Sequence, residues 1–209
     1  MTLESNSITF KETPSQTAGP FLHIGLLPQS KQVIGSNSDN LKAAATRRIK
    51  NESFQEIHIR GFIFDGKRQP IKDGLVEIWQ ADGNGVYNSY FDKRNSFDNS
   101  FCGWGRAECS QSDGMWEFST IKPGPVPFSN GCSMAPHISF WIIARGLNLG
   151  LSTRMYFEDE AKKNHDDPVL TQIKDLRRRD SLIAKREKAD HYLFNIYLQG
   201  EDETIFFDI

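Results

Sequence analysis

No stretch of this sequence stays apolar for the roughly 20 residues that a membrane-spanning helix needs, so no such helix is expected. The opening MTLESNSITFKETPSQ is polar and acidic, which argues against a secretory signal. Cysteine is scarce. Cys102, Cys109 and Cys132 never approach the short spacing of a thiolate metal site. An odd number without a leader points to thiols rather than disulfides, and to the cytoplasm. Charge of either sign is not in excess. The 25 Lys and Arg against 27 Asp and Glu leave -2, which removes the electrostatic reason to expect nucleic acid or an anionic membrane. A phosphate-binding glycine loop, a nucleophile–base pair and an internal repeat are also missing.

What is present suits an all-β chain. The 209 residues suffice for one sizeable core, and a single domain over 1–209 is the default. The 15 Phe suit sheets packed face to face. Residues 1–35 show little periodicity; TPSQTAGPFLHIGLLP reads as an extended arm that must lie on something. NLKAAATRRIK, Asn40 to Lys50, permits a short helix. The pattern then turns to period two in EIHIRGFIF and LVEIWQ, joined by the turn residues of DGKRQPIKDG. GMWEFSTI, HISFWIIAR, TRMYF, HYLFNIYLQG and ETIFFDI bring the expected strands to about seven. Together they predict a β-sandwich of mixed and antiparallel strands, with the N-terminal arm and short helical insertions, chiefly in DPVLTQIKDLRRRDSLIAKREK.

The residues that could carry chemistry are few. His137 and Ser139 should share a face of their strand. That spacing would suit two imidazoles on one metal, but Ser139 is a poor ligand. A histidine on such a strand is more often a satisfied core or surface histidine than a ligand. Tyr87 follows a Gly-rich turn and could simply pack. The loop KPGPVPF is stiffened by prolines and could merely cross between sheets. The run Arg177 to Arg179 reads as a solvated face, and Arg145 as a strand-end residue reaching for water. From the residues alone the reading stops at a soluble β-sandwich with half of a possible metal site.

Several motifs in order go further: TPSQTAGPF, VEIWQADGNGVY, IKPGP, MAPHISFWIIARG, RMYFEDE, LIAKR and GEDETIFFDI. Over nearly the whole chain they resemble the alpha subunits of the protocatechuate-cleaving intradiol ring-cleavage dioxygenases. The resemblance implies a ferric enzyme of two homologous subunits in the β-ketoadipate route. It splits 3,4-dihydroxybenzoate between its hydroxyl carbons with both atoms of O2, giving 3-carboxy-cis,cis-muconate. It places iron ligands, two tyrosines and two histidines, at Tyr87, Val126, His137 and Ser139. Only Tyr87 and His137 match. The implied Fe(III) therefore sits in a beta partner, in a larger (αβ)n oligomer, and this chain has no catalytic residue of its own. The arm crosses toward the partner's cleft, with Thr13 and Pro14 near the substrate. Arg145 is expected on the face of His137, meeting the substrate carboxylate or forming a structural ion pair across the interface. The alternatives are a sandwich-type binding module, an interaction subunit of another intradiol dioxygenase, and a complete one-subunit catechol or hydroxyquinol enzyme. The last would need all four ligands.

Overall fold

The computed structural model describes residues 13–19, 21–22, 26, 54–94 and 101–208. Its strands are β1 (Glu56–Phe64), β2 (Leu75–Gln80), β3 (Trp104–Glu108), β4 (Met115–Ile121), β5 (Val126–Pro127), β6 (Ser133–Met134), β7 (His137–Ile143), β8 (Leu151–Phe157), β9 (Ile183–Arg186), β10 (His191–Leu193) and β11 (Ile196–Tyr197). Two short helices, α1 (Ala161–His165) and α2 (Leu176–Asp180), and a few 3-10 turns complete the described elements. Asp175 starts α2 by accepting the backbone N–H groups of Arg177 and Arg178.

One nearly continuous sheet does most of the building. Its order is β11-β1-β10-β9-β8-β7-β2-β3, with β4 on the other edge of β1. β1 runs parallel to β10 and β11, and β8 parallel to β9; the remaining pairs are antiparallel. The sheet folds over so that two faces meet, which gives the expected mixed sandwich. The period-two reading of β1 holds: Ile57, Ile59, Gly61 and Ile63 point inward. Opposite them stand Ile138, Phe140 and Ile142 of β7. Trp116 of β4 links the two faces, its ring 5.4 Å from that of Phe140, which in turn lies 5.3 Å from Phe194. Gly61 exists because of this packing. A β-carbon there would lie 1.8 Å from the Phe194 carbonyl oxygen and 2.7 Å from Trp116 Cζ2.

A second, smaller core lies on the outer face of β7 and β8. Ala135, Tyr156, Leu170 and Leu182 form it beneath the helical insertion.

The structure differs from the sequence reading in several places. ETIFFDI is no strand; only an isolated bridge joins Phe207 to Ser152, while Phe206 packs on the main core. HYLFNIYLQG divides into β10 and β11. IAKR, read as helical, is β9. β3, β5 and β6 were not anticipated. The helix expected at 40–50 lies outside the described residues, as does most of the arm.

Gly61→Ala should destabilise the chain by about 1–3 kcal/mol, because the clash is with backbone and a buried indole that cannot swing away. Urea denaturation of the two proteins measures it; unchanged stability would mean that Trp116 is not held against β1.

Candidate functional site

β7 and β8 set the site by their register. His137 opposes Tyr156 and Ser139 opposes Arg154. Inward residues of both strands enter the main core, so these four side chains share the outer face. His137 is buried, with its ring centroid 5.7 Å from that of Tyr156.

Two loops meet beside it. The Asp82 carboxylate, through Oδ1, accepts the N–H groups of Asn84 and Val86 at 2.9 Å, folding the turn that delivers Tyr87. That turn lies on the KPGP loop, where Gly124 N–H donates to the Asp82 carbonyl at 2.9 Å. Gly85, at φ +76°, sits so close that a β-carbon would reach 1.9 Å from the Pro125 carbonyl oxygen. The Tyr87 ring stacks on Trp79 at 5.8 Å. The KPGP loop runs into β5, where Val126 is buried and pairs with Met134 of β6.

Tyr87 and His137, 50 residues apart in sequence, are thereby brought together, their hydroxyl and Nε2 3.3 Å apart. His137 Nδ1 lies 2.8 Å from the Ala135 carbonyl, which can only accept. Nδ1 therefore carries the proton, and Nε2 accepts from the Tyr87 hydroxyl. Burial first, and the nearby charge of Arg154, push the imidazole down to about 4. Burial likewise raises Tyr87, against the pull of Arg154. The pair is neutral at pH 7 and satisfies itself.

Below it lies a residue that the sequence did not single out. Asp167 is buried and accepts four hydrogen bonds: from Ala135 N–H at 2.7 Å, Val169 N–H at 2.8 Å, Leu170 N–H at 2.9 Å and the Tyr156 hydroxyl at 3.3 Å. It ties the loop before His137 to the helical insertion. Arg154 also went unnoticed. It reaches Met134 Sδ with Nη1 at 3.4 Å and lies over the Phe207 ring at 5.8 Å. In front of it opens a groove of about 610 Å³ lined by Trp79, Trp104, Ser139, Trp141 and Phe207.

These residues do not fit a ferric ion. Fe(III) takes anionic oxygens and imidazoles in fixed geometry. Val126 supplies no donor, Ser139 a neutral hydroxyl, and Tyr87 and His137 bind each other. No cluster of three or more His, Cys, Asp or Glu able to hold a metal exists among the described residues.

Arg145 falls elsewhere than expected. β7 ends at Ile143, and Arg145 sits in the following turn, closed by Leu147 N–H donating to the Ala144 carbonyl, with Gly146 at φ +87°. Alternation therefore does not carry it onto the His137 face. Its stem is not buried either: the side chain is 61% exposed and forms an ion pair with Asp73 of the same chain. The arm docks on this turn, Thr17 Oγ1 accepting from Gly146 N–H at 2.6 Å. Thr13 and Pro14 are exposed. The structure thus gathers the arm and Arg145 on one surface, apart from the contacts of the Tyr87–His137 pair.

The "Dioxygenase" family model matches residues 33–200. The chain belongs to the intradiol dioxygenase family. It is 43% identical to the protocatechuate 3,4-dioxygenase alpha chain of Pseudomonas putida over 201 residues, covering 94% of this chain and 96% of that one. To the beta chain of Burkholderia cepacia it is 31% identical over 160 residues, 72% of this chain and 67% of the other. An intradiol ring-cleavage dioxygenase from Tetranychus urticae shares the fold, with a TM-score of 0.53 at 17% identity over 71% of this chain and 83% of its own. The family is one of oxidoreductases, and of the four positions at which the resemblance implies iron ligands this chain has a possible donor of the implied type at two, Tyr87 and His137. Among the described residues no helix is long and apolar enough to cross a membrane.

The depressed pKa of His137 has a consequence for stability. The unfolded imidazole titrates near 6.5 and the folded one at about 4, so in that window the unfolded chain holds more protons. Stability should fall as pH is lowered from about 6.5 to about 4, by at most about 1.4 kcal/mol per unit from this group, and level off below. His137→Gln should flatten this part of the curve in denaturation series between pH 7 and 4. An unchanged slope would mean that His137 is not held neutral.

Proposed function

We propose that this chain is the iron-free, alpha-type subunit of a protocatechuate 3,4-dioxygenase. The reading rests on one conjunction: 43% identity to an alpha chain across 94% of the sequence, with Val126 and Ser139 at two of the four ligand positions that the resemblance implies. A beta-type partner of the same descent holds Fe(III) and performs the ring cleavage of 3,4-dihydroxybenzoate with O2. This chain, one domain over 1–209 working in the cytoplasm, walls the partner's pocket and drives assembly of an (αβ)n oligomer.

Its surface supports a partnered life. Phe21, Tyr90, Phe91, Phe128 and Trp141 are all exposed. So many large aromatics in water mark surface that another chain covers. A stable interface buries about 1,200–2,000 Å², and homologous sandwiches related by a pseudo-twofold can supply it. The surface built from the arm and the turn after β7 supports substrate contacts by Thr13, Pro14 and Arg145, all offered outward. Arginine suits a carboxylated catechol because its planar fork meets a carboxylate with two parallel hydrogen bonds. The Asp73 partner is no obstacle, since an exposed ion pair is worth only about 0–1 kcal/mol.

The isolated chain should bind no stoichiometric iron and show no tyrosinate-to-iron absorption, whereas the complex with its beta-type partner should show both. Metal analysis with visible spectroscopy decides; a coloured, iron-loaded isolated chain would end this reading.

In that complex, Arg145→Ala should lower kcat/KM for protocatechuate at least tenfold, a loss of about 1.4 kcal/mol or more in transition-state binding. Catechol, which has no carboxylate, should be turned over no worse than by wild type. Equal loss on both substrates, or a broken oligomer, would make Arg145 a structural residue.

A further inference from the structure

We infer that the guanidinium of Arg154 occupies the point on which the four ligand positions converge, so that the site is plugged by a fixed cation and restoring the two missing donors does not by itself restore a metal centre. The inference deepens the proposed function and rests on its premise that the partner, not this chain, holds the iron.

Three observations place the guanidinium. Arg154 directly opposes Ser139 across the β7–β8 ladder, where facing β-carbons stand about 4.5–5.5 Å apart. Its Nη1 lies 3.4 Å from Met134 Sδ, and Met134 is the ladder partner of Val126. The remaining two positions are Tyr87 and His137, and His137 neighbours Ser139 on the same face. The positive charge of Arg154 acts on both Tyr87 and His137, which supports the same placement.

The surroundings also suit a resident cation. Among the described residues no carboxylate forms an ion pair with Arg154. The Met134 sulfur, the Tyr156 hydroxyl and the face of Phe207 hold it instead. A ferric ion at the convergence of Tyr87 and His137 would therefore meet a second positive charge close by in a half-buried site, where screening is weak. The missing donors and the plug are separate obstacles to metal, and removing one leaves the other.

The test uses the complex with the beta-type partner and reads iron per αβ pair together with the tyrosinate-to-iron band. Wild type should hold one iron per pair; two would overturn the proposed function itself, separately from this inference. V126Y/S139H should stay at one. V126Y/S139H/R154Q should rise toward two, with the band growing in proportion. The inference is overturned if the double variant loads as fully as the triple, or if the triple stays at one. It is also overturned if the double assembles and the triple does not, because a plug should be dispensable for folding. Should Val126→Tyr itself disturb packing, S139H and S139H/R154Q repeat the comparison on three donors, read by the visible absorption of added Co(II). Uptake only with R154Q supports the inference, and any other result refutes it.

Discussion

The antiparallel register of β7 on β8 is the constraint from which the rest of the site follows. It sends Ile138, Phe140, Ile142 and Met155 into the core and leaves His137, Ser139, Arg154 and Tyr156 on the outer face. A slip of one residue would exchange the two sets and turn Arg154 toward the core. The core therefore enforces the site. Phe140 packs on both Trp116 and Phe194, and those contacts fix which residues of β7 look outward. Asp167 then sets the height of the loop leading into His137, because three backbone N–H groups and a phenol converge on its carboxylate. None of this depends on a metal.

The same logic explains which parts of the fold could be read in advance. β1 and β4 bury one face against a shared core and alternate, while β2 and β7 stand out as short apolar runs between turns, so all four announce themselves. β3, WGRAE, has no such alternation and is a strand because β2 offers it a ladder. IAKR carries helix-compatible residues, yet parallel pairing with β8 and antiparallel pairing with β10 decide otherwise. ETIFFDI has strong strand propensity and still forms no ladder beyond one bridge, because its aromatic rings are used as packing. Local preference settles a segment only where no neighbour outbids it.

At the site, the resemblance put Tyr87 and His137 at one place, but their hydrogen bond to each other was not legible, since only the packing of the Tyr87 turn against β7 creates it. Arg145 was misplaced because alternation ends with the strand, and Gly146 turns the chain immediately after. Arg154 stayed hidden for a different reason. In TRMYF an arginine between core residues looks like ordinary outward polarity, and nothing local tells which outward face is the one that matters. Only the ladder partner reveals it.

A buried imidazole beside a buried phenol poses a physical problem, and this chain solves it within its own scaffold. An imidazole and a phenol left in a buried place without partners would each cost about 1–3 kcal/mol. Here the phenol donates to Nε2 and Nδ1–H to a carbonyl, so both are satisfied without ionising. Valine at the third position needs no partner at all, and the serine at the fourth stands at the open groove rather than in the core. The two loops remain in place for reasons of their own, because Gly85 and Gly124 allow backbone approaches that no other residue permits. Donor chemistry and scaffold geometry are thus separable in this fold. The loops, the ladder and the buried aspartate hold their shape with Val126 and Ser139 in place, without a donor at either that an ion would take up readily.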